Sequence, residues 1–241
     1  MAKEIVKKPL CIVGTAASHV DAPWDDDTFE MWTVSGLLVN GPGHRIDRVF
    51  ELHPWWELRS MLALITELEQ LPMPIYMQEV SDEIPTSVKY PHDEIKRMFH
   101  LDCMGPSLYA TNTITWMILL AIYEGYRDFS LFGVHMAHEM EYAYQRSSCS
   151  WALGIIHGYM LQGLPYTLHI ADGSELLRAK YEYGFHQPTK LMMHATNRVQ
   201  RYAAGVDQTN EQMEKLKQAR WRTEGGKIEA EHWKDFLAGY K

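Results

Sequence analysis

The sequence predicts an α/β fold with a mostly parallel sheet, helices on both of its faces, and a C-terminal helical arm. Through residues 1–187, short apolar runs alternate with segments of helical periodicity, as expected of parallel strands joined by crossover helices. Hydrophobic residues make up 46% of the 241-residue chain, enough to build one sizeable core. Residues 188–241 are polar with sparse apolar positions, as expected of a solvated helical extension.

Six short apolar runs are predicted to be the strands of the sheet. Each is bounded by turn residues such as Gly, Pro or Asn, and the run DFSLFGV is the strongest candidate for a central strand. In chain order the six runs are Pro9–Val13, Glu30–Val34, Arg48–Leu52, Pro74–Gln78, Asp128–Val134 and Tyr166–Ile170.

Four helices are predicted between the strands, where apolar residues recur at spacings of three and four. Pro72 and Pro74 end the first helix, and Gly125 and Gly163 end the last two. In chain order the four helices are Pro54–Gln70, His92–His100, Thr113–Tyr126 and Ser147–Gln162.

The arm is predicted to consist of two helical pieces, Thr189–Arg222 and Ile228–Tyr240. Gly225-Gly226 separates them, because glycine disfavours a helix interior. A helical hairpin or arm of this kind would pack on the body or on a second subunit. A homo-oligomer assembled through the tail is therefore one expectation.

Charge and composition limit the classes of partner. The formal net charge of −8 argues against a protein that coats nucleic acid and leaves nucleic acid only as an acceptor substrate. The three cysteines lack CxxC spacing, so they are not a disulfide framework. The opening MAKEIVKKPL lacks the apolar stretch of a signal peptide, and the apolar run Trp116–Tyr123 is too short to span a membrane. We expect a cytoplasmic protein with no membrane partner.

Polar side chains follow the predicted strands where each strand ends. In open α/β sheets, ligands bind just beyond the carboxyl ends of the strands. Any one of these side chains could be an ordinary hydrogen-bonded residue, but their convergence on one sheet edge predicts a ligand site. They are Thr15, Ser18, Ser35, Glu51, His53, Gln78, Glu79, His135, His138, Glu139, Glu141 and Asp172.

Two of these regions allow more than one interpretation. The helix start Thr111-Asn112-Thr113 would offer N–H groups and hydroxyls to a phosphate, although Thr and Asn are also ordinary helix caps. His53, stiffened by Pro54, could act as a general base. The adjacent Trp55-Trp56 pair could stack on a base or sugar, or could plug the sheet.

The sequence also bears on cofactors and excluded enzyme classes. His135, His138, Glu139 and Glu141 offer metal-binding side chains, but no HExxH or CxxC pattern accompanies them. We therefore predict no resident metal, while a divalent ion shared with a substrate phosphate stays open. The chain has no Walker lysine motif, GxGxxG or GxSxG, which disfavours P-loop, dinucleotide and serine-hydrolase chemistry.

Several segments together resemble a family of phage-encoded Rossmann-like proteins: IVGTAAS, FELHP, IYMQE, TNTITWM, LFGVHM and EYAYQR. Through the same segments the chain is distantly similar to bacterial sialyltransferases that use a CMP-sugar donor. It is similar in the same way to the family of motility accessory factors and a pterin pyrophosphokinase. The similarity runs from Leu10 to Leu177 and omits the tail. It implies a Rossmann-like fold and a nucleotide or nucleotide-sugar ligand.

The sialyltransferase resemblance also implies residue roles. Thr15 and Ser35 stand where that family has nucleotide-binding Asn residues. The family's catalytic His falls near Arg146, where this chain has none, and its IDFY strand end is changed here to VHMA. Its glycine turn, its helix-start Ser and one phosphate-binding Tyr match Gly14, Thr113 and either Tyr142 or Tyr144.

These observations predict a phage-type, glycosyltransferase-like transferase that acts in nucleic-acid or glycan modification. Gln145 and Arg146 would neutralise phosphate charge, and His53 or His138 would move the acceptor proton. Ser18 and Asn112 would contribute to the nucleotide site. One alternative is a non-catalytic protein that sequesters a nucleotide. Another is an interaction protein that assembles through its helical tail.

Overall fold

The computed structural model describes residues 7–40, 44–101, 109–136, 144–179, 182, 184–185 and 189–238. The chain divides into two compact units, Met1–Arg178 and Ala179–Lys241. The first unit contains the sheet and the second contains one long helix.

The first unit is built on a seven-stranded sheet in which every neighbouring pair is parallel. The spatial order is β5-β4-β3-β2-β1-β6-β7, so the order reverses between β1 and β6. This confirms the predicted Rossmann-like α/β class. The strands are β1 (Leu10–Val13), β2 (Glu30–Val34), β3 (Arg48–Glu51), β4 (Ile75–Met77), β5 (Ser87–Lys89), β6 (Asp128–Phe132) and β7 (Thr167–Ile170).

Helices cover both faces of the sheet. One face packs against α3, α4 and α5, and the other against α1, α2 and two short 3-10 helices, Ala17–Asp21 and Ser35–Asn40. In α4, every residue from Met117 to Ile122 is buried, which explains why this helix is apolar on all sides. The α-helices of this unit are α1 (Trp55–Leu58), α2 (Leu62–Leu68), α3 (His92–Met98), α4 (Thr113–Tyr123) and α5 (Arg146–Leu161).

Two elements of the first unit differ from what the sequence predicts. The single helix expected over residues 54–70 is two helices, because the chain leaves helical geometry at Met61 (φ −108°, ψ 58°) and Ser60 Oγ donates to the Glu57 carbonyl at 2.7 Å. The strand β5 was not predicted. It is a short strand at the sheet edge with half-buried or exposed residues, so it has no apolar run to reveal it.

The second unit contains α6, which runs without interruption from Lys190 to Ala238. The predicted break at Gly225-Gly226 is therefore wrong, because both glycines lie within the helix. Glycine lowers helix stability but does not forbid helical geometry. Among the residues that the structure describes, no helix combines the length and apolarity needed to cross a membrane.

Candidate functional site

The loops after β1 and β6 cross in close contact at the point where the strand order reverses. Gly14 N donates to the Phe132 carbonyl at 2.9 Å, and Ala16 N donates to the Gly133 carbonyl at 2.8 Å. A Cβ on Gly14 would lie 2.5 Å from the Gly133 oxygen, so only glycine fits. At Gly14, which the sequence resemblance matches to the sialyltransferase family's glycine turn, the group in close approach is the neighbouring loop, and any role toward a ligand stays a prediction.

Two predicted site residues strengthen the same crossing. The buried Ser18 hydroxyl accepts from Gly133 N at 2.9 Å and bonds to His135 Nε2 at 2.8 Å. Ser18 and His135 thus join the two loops at the switch point, where ligands of open α/β sheets commonly bind. Thr15 is exposed on the rim of this region and lies beside Gly36 of the following 3-10 helix.

The ends of β2 and β3 carry a hydrogen-bonded chain of three predicted site residues. Ser35 Oγ donates to Glu51 Oε2 at 2.5 Å, and both side chains are buried. Glu51 Oε1 accepts from His53 N at 2.8 Å and contacts His53 Nδ1 at 2.6 Å. The Glu51 carboxylate is fully buried, while the His53 ring is 50% exposed. Glu51 Oε1 therefore holds His53, while Oε2 is used by Ser35.

This arrangement leaves His53 with one nitrogen to use. A carboxylate at Nδ1 favours the tautomer with the proton on Nδ1, so Nε2 remains an acceptor. Among the described residues, Nε2 has no hydrogen-bond partner. A half-exposed imidazole that is oriented by a buried carboxylate has the parts that general-base catalysis requires. The same contacts also fix the turn from β3 into α1.

The two tryptophans after His53 have different environments. Trp55 packs against the apolar cluster of α1 and α2, as expected of a plug, and lies under the guanidinium of Arg59. Trp56 is 76% exposed and available for stacking on a ligand.

A cavity of about 720 Å³ opens at the carboxyl ends of β3, β4 and β5, next to the N-terminal turns of α3 and α4. That volume lies in the usual range for small-molecule sites. Gln78 and Glu79, both predicted site residues, line it. Gln78 Nε2 donates to the Leu52 carbonyl at 2.7 Å, and Glu79 lies 3.8 Å from Lys89. The other lining residues are Leu52, Lys89, Tyr90, Pro91, His92, Asp93, Glu94 and Trp116.

The sequence did not point to the aromatic wall of this cavity. Tyr90, His92 and Trp116 form it, with Trp116 5.6 Å from Tyr90 and 5.2 Å from His92 between ring centroids. Tyr90 is buried and its hydroxyl donates to the Trp116 carbonyl at 2.8 Å. Burial raises the pKa of Tyr90 well above its ordinary value, so this hydroxyl stays protonated. Tyr90 directly follows β5. Because the sequence did not predict that strand, it did not place Tyr90 at the sheet edge.

The start of α4 is occupied mainly by structural hydrogen bonds. Asn112 Oδ1 caps the helix by accepting from Thr115 N at 2.9 Å, and its Nδ2 donates to the Gln145 carbonyl at 3.2 Å. Thr111 Oγ1 donates to the Tyr144 carbonyl at 2.7 Å. Here the capping interpretation accounts for Asn112. Thr113, half-buried in the first turn, retains the phosphate interpretation as a prediction.

The predicted phosphate ligand Arg146 is held by protein groups. Its Nη1 donates to Glu175 Oε2 at 3.0 Å, and its Nη2 donates to the Glu175 carbonyl at 2.6 Å. These bonds attach the start of α5 to the loop after β7. A phosphate at this position would have to exchange with Glu175. Asp172, on the same loop, pairs with Arg178 at 3.3 Å.

Four predicted site residues, His138, Glu139, Glu141 and Tyr142, lie outside the described residues, and their roles stay predictions. Among the residues that are described, no group of three or more His, Cys, Asp or Glu side chains is placed to hold a metal ion.

Comparison with known proteins adds distant structural likenesses. No protein-family profile matches the chain, and no curated protein matches it by sequence. The chain is similar to the sialyltransferase CstII from Campylobacter jejuni in complex with cytidine-5'-monophosphate, with 12% identity and a TM-score of 0.48 over 79% of this chain and 99% of the other. It is also similar to an alpha-2,3-sialyltransferase from Campylobacter jejuni in apo form, with 12% identity and a TM-score of 0.49 over 73% and 79% of the two chains. The fold assignment rests on the strand order and register, and these likenesses transfer neither ligand nor activity.

Proposed function

We propose that the protein is a glycosyltransferase-like transferase that binds a nucleotide or nucleotide-sugar and passes a group to an acceptor hydroxyl. The observation that carries the proposal is the half-exposed His53 imidazole, held by the buried Glu51 carboxylate at the ligand-binding edge of a parallel sheet. The strand β3 leads directly into the wall of the cavity, because Leu52 lies between these two residues and lines it.

The donor nucleotide would lie along the ends of β1 and β2 and the start of α4. Thr15 on the rim and Thr113 in the first turn of α4 offer hydroxyls to ribose or phosphate. The hydroxyl of Ser35 already donates to Glu51. In this scheme its role is to position Glu51 and, through Glu51, the general base His53. This assignment follows the resemblance in the sequence and is supported by the switch point between β1 and β6.

The acceptor would occupy the cavity. Its lining carries three carboxylates, Glu79, Asp93 and Glu94, against one lysine, Lys89, which suits hydroxyl groups better than phosphate. Trp116 and its aromatic neighbours provide a surface of the kind that packs against a sugar ring.

In the reaction, His53 Nε2 would accept the proton of the acceptor hydroxyl as its oxygen attacks the donor sugar carbon. The bond from that carbon to the phosphate oxygen would break, and the nucleotide would leave with the electron pair. Glu51 would stabilise the imidazolium that forms. A glycan or nucleic-acid acceptor and a phage-type origin remain part of the proposal through the sequence resemblance.

A non-catalytic nucleotide-binding protein is the second candidate. The pairing of Arg146 with Glu175 favours it, because the cation predicted to neutralise a leaving phosphate is engaged by a carboxylate.

Incubation of the protein with a panel of nucleotides and nucleotide-sugars, followed by native mass spectrometry and product analysis, separates the candidates. A bound donor that is cleaved or transferred supports the transferase. A donor that binds and stays intact supports the non-catalytic protein. If no compound in the panel binds or shifts the melting temperature, both candidates are wrong.

A further inference from the structure

The helix α6 carries an apolar stripe with a seven-residue repeat over residues 192–216. Apolar or small side chains recur at alternating spacings of three and four, as they do at the inner a and d positions of coiled coils. The large members of the stripe are Met192, Val199, Tyr202, Val206, Met213 and Leu216. Ala195 and Thr209 fill the two remaining inner positions.

The stripe is exposed along its whole length. Val199, Tyr202 and Leu216 are 68%, 66% and 69% exposed, respectively. Most helices in water depend on packing of an apolar face rather than on intrinsic propensity. The glycines at positions 205, 225 and 226 each disfavour this helix by about 1 kcal/mol relative to alanine. A helix with these properties therefore needs a partner for its stripe.

The period of the repeat indicates what kind of partner the stripe fits. An apolar repeat of 3.5 residues leads to left-handed supercoiling with another helix that has the same repeat. An identical chain meets this requirement, because the stripe can face its own copy with a and d positions in both helices. A partner of different sequence would need an apolar stripe with the same repeat. Nothing in this chain indicates such a partner.

The charges on α6 are compatible with pairing between identical chains. The positions that flank the stripe between residues 199 and 216 are Ala203, Gly205, Asn210 and Gln212, all of them uncharged. Two copies would therefore meet there without like-charge repulsion. The charged pair Glu211–Lys215, 2.6 Å apart, lies at outer positions of the repeat and is satisfied within one helix.

We propose that residues 192–216 of α6 form a coiled coil with the same segment of a second copy of this chain. The arm is then an assembly element, and its function does not depend on what the sheet binds.

Sedimentation equilibrium of the full chain tests this proposal with a matched pair of variants. Val206→Lys places a charge at an inner position, and Gln208→Lys places the same charge at an exposed outer position two residues away. We expect the wild type and Gln208→Lys to self-associate equally. Val206→Lys should raise the dissociation constant by at least tenfold, or about 1.4 kcal/mol.

Circular dichroism of the same samples shows whether α6 stays helical. Loss of helix in Val206→Lys alone would still support pairing, because only the inner position would have affected the helix. Val206→Leu, which keeps an apolar side chain, should associate like the wild type. A wild type that shows no self-association up to about 100 μM would overturn the proposal. Equal behaviour of the two lysine variants would overturn it as well.

Discussion

The two ends of strand β3 differ in how completely their polar side chains are paired. At the amino end, Arg48 contacts Glu30 at 3.0 Å, Glu124 at 2.8 Å and the Tyr76 hydroxyl at 2.9 Å. At the carboxyl end, His53 is half exposed, and of its two ring nitrogens only Nδ1 has a partner among the residues that the structure describes. One end is a closed network, and the other presents a ring nitrogen to the sheet edge beyond which ligands of open α/β sheets commonly bind.

The amino-end network consists of Lys7, Glu30, Arg48, Tyr76, Glu124 and Tyr126, and Lys7 pairs with Glu124 at 3.1 Å. Burial would lower the pKa of Arg48, but the hydrogen bond and charge of Glu124 outweigh it and raise that pKa above its ordinary value. Burial, together with the hydrogen bond to Glu30, raises the pKa of Tyr126. These shifts keep Arg48 charged and Tyr126 neutral at neutral pH and below.

The comparison teaches that partly buried charge in this fold does not by itself mark a ligand site. Arg48 also lies 4.6 Å from the Trp32 ring centroid, a further contact on a guanidinium already engaged by carboxylates. A network that is satisfied internally stabilises the sheet. A buried carboxylate that holds a half-exposed imidazole, as at Glu51 and His53, leaves chemistry available for a substrate.

The largest expected effect is on catalysis at the carboxyl end. His53→Gln should lower the transfer rate by roughly 10²–10⁴-fold, the usual contribution of a general base. Donor affinity and the free energy of unfolding should change little, because the ring is half exposed. Single-turnover kinetics and urea denaturation measure these quantities with the donor found in the binding panel. The control is His157→Gln, an exposed histidine on α5.

Glu51→Gln extends this test to the group that orients the base. It should also lower the rate, because the amide no longer stabilises the imidazolium. A His53→Gln protein with the wild-type rate would remove His53 from the mechanism. The polar side chains at both ends of β3 would then be structural.

The next effect is on stability at the amino end. Arg48→Met should lower the free energy of unfolding by about 3–4 kcal/mol, because it leaves the partly buried Glu30 carboxylate without its ion-pair partner and leaves Glu124 with Lys7 alone. Donor binding by the variant should equal that of the wild type at a temperature where both are folded. Arg59→Met is the matched control: Arg59 pairs with Glu83 at 3.7 Å on the surface, and its loss should cost at most about 1 kcal/mol. An Arg48→Met protein of unchanged stability would contradict the structural role of the network.

Sequence patterns predicted the centre of the sheet better than one of its edges. Residues of β1, β2 and β3 are buried on both faces, and the resulting apolar runs were identified without the structure. Edge strand β5 gives no such run. In the arm, Gly225-Gly226 suggested a break that is absent because local propensity is only one contribution to a 49-residue helix.

The candidate site was predictable in position but not in pairing. The rule that ligands bind beyond the strand ends selected Ser35, Glu51 and His53 individually. The buried bond between Ser35 and Glu51 joins the ends of two different strands, and no local pattern encodes it. From the sequence, Arg48 was predicted only to be the first residue of a strand. Its pairing with Glu124 could not be predicted, because Glu124 is 76 positions away.

A smaller effect tests the part of the carboxyl edge that is structural. Gly133→Ala should lower the free energy of unfolding by about 2 kcal/mol, because its φ is +65° and the new Cβ would collide with the Gly14 carbonyl. Gly154→Ala in α5 is the control. Its Cβ would meet nothing within 4 Å, so the helix should be stabilised by up to about 1 kcal/mol. Equal unfolding midpoints for the two variants in urea would show that the crossing of the two loops is not tight.

The smallest effect is a pH dependence of stability that arises from Glu30 at the amino end. Burial would raise the pKa of Glu30, but hydrogen bonds from Tyr126 and Trp32 and the charges of Arg48 and Lys7 outweigh it and hold that pKa below the ordinary 4.5. The carboxylate therefore adds stability that is complete above its ordinary pKa and is lost as the pH falls through the lowered value. We expect the wild type to exceed Glu30→Gln in unfolding free energy at neutral pH, and the difference to shrink in acid. Urea denaturation across this pH range measures the change.

In the Arg48→Met background this decrease of the difference in acid should be smaller, because one source of the lowered Glu30 pKa is gone. A difference that stays constant with pH would show that Glu30 acts through neutral hydrogen bonds rather than through its charge.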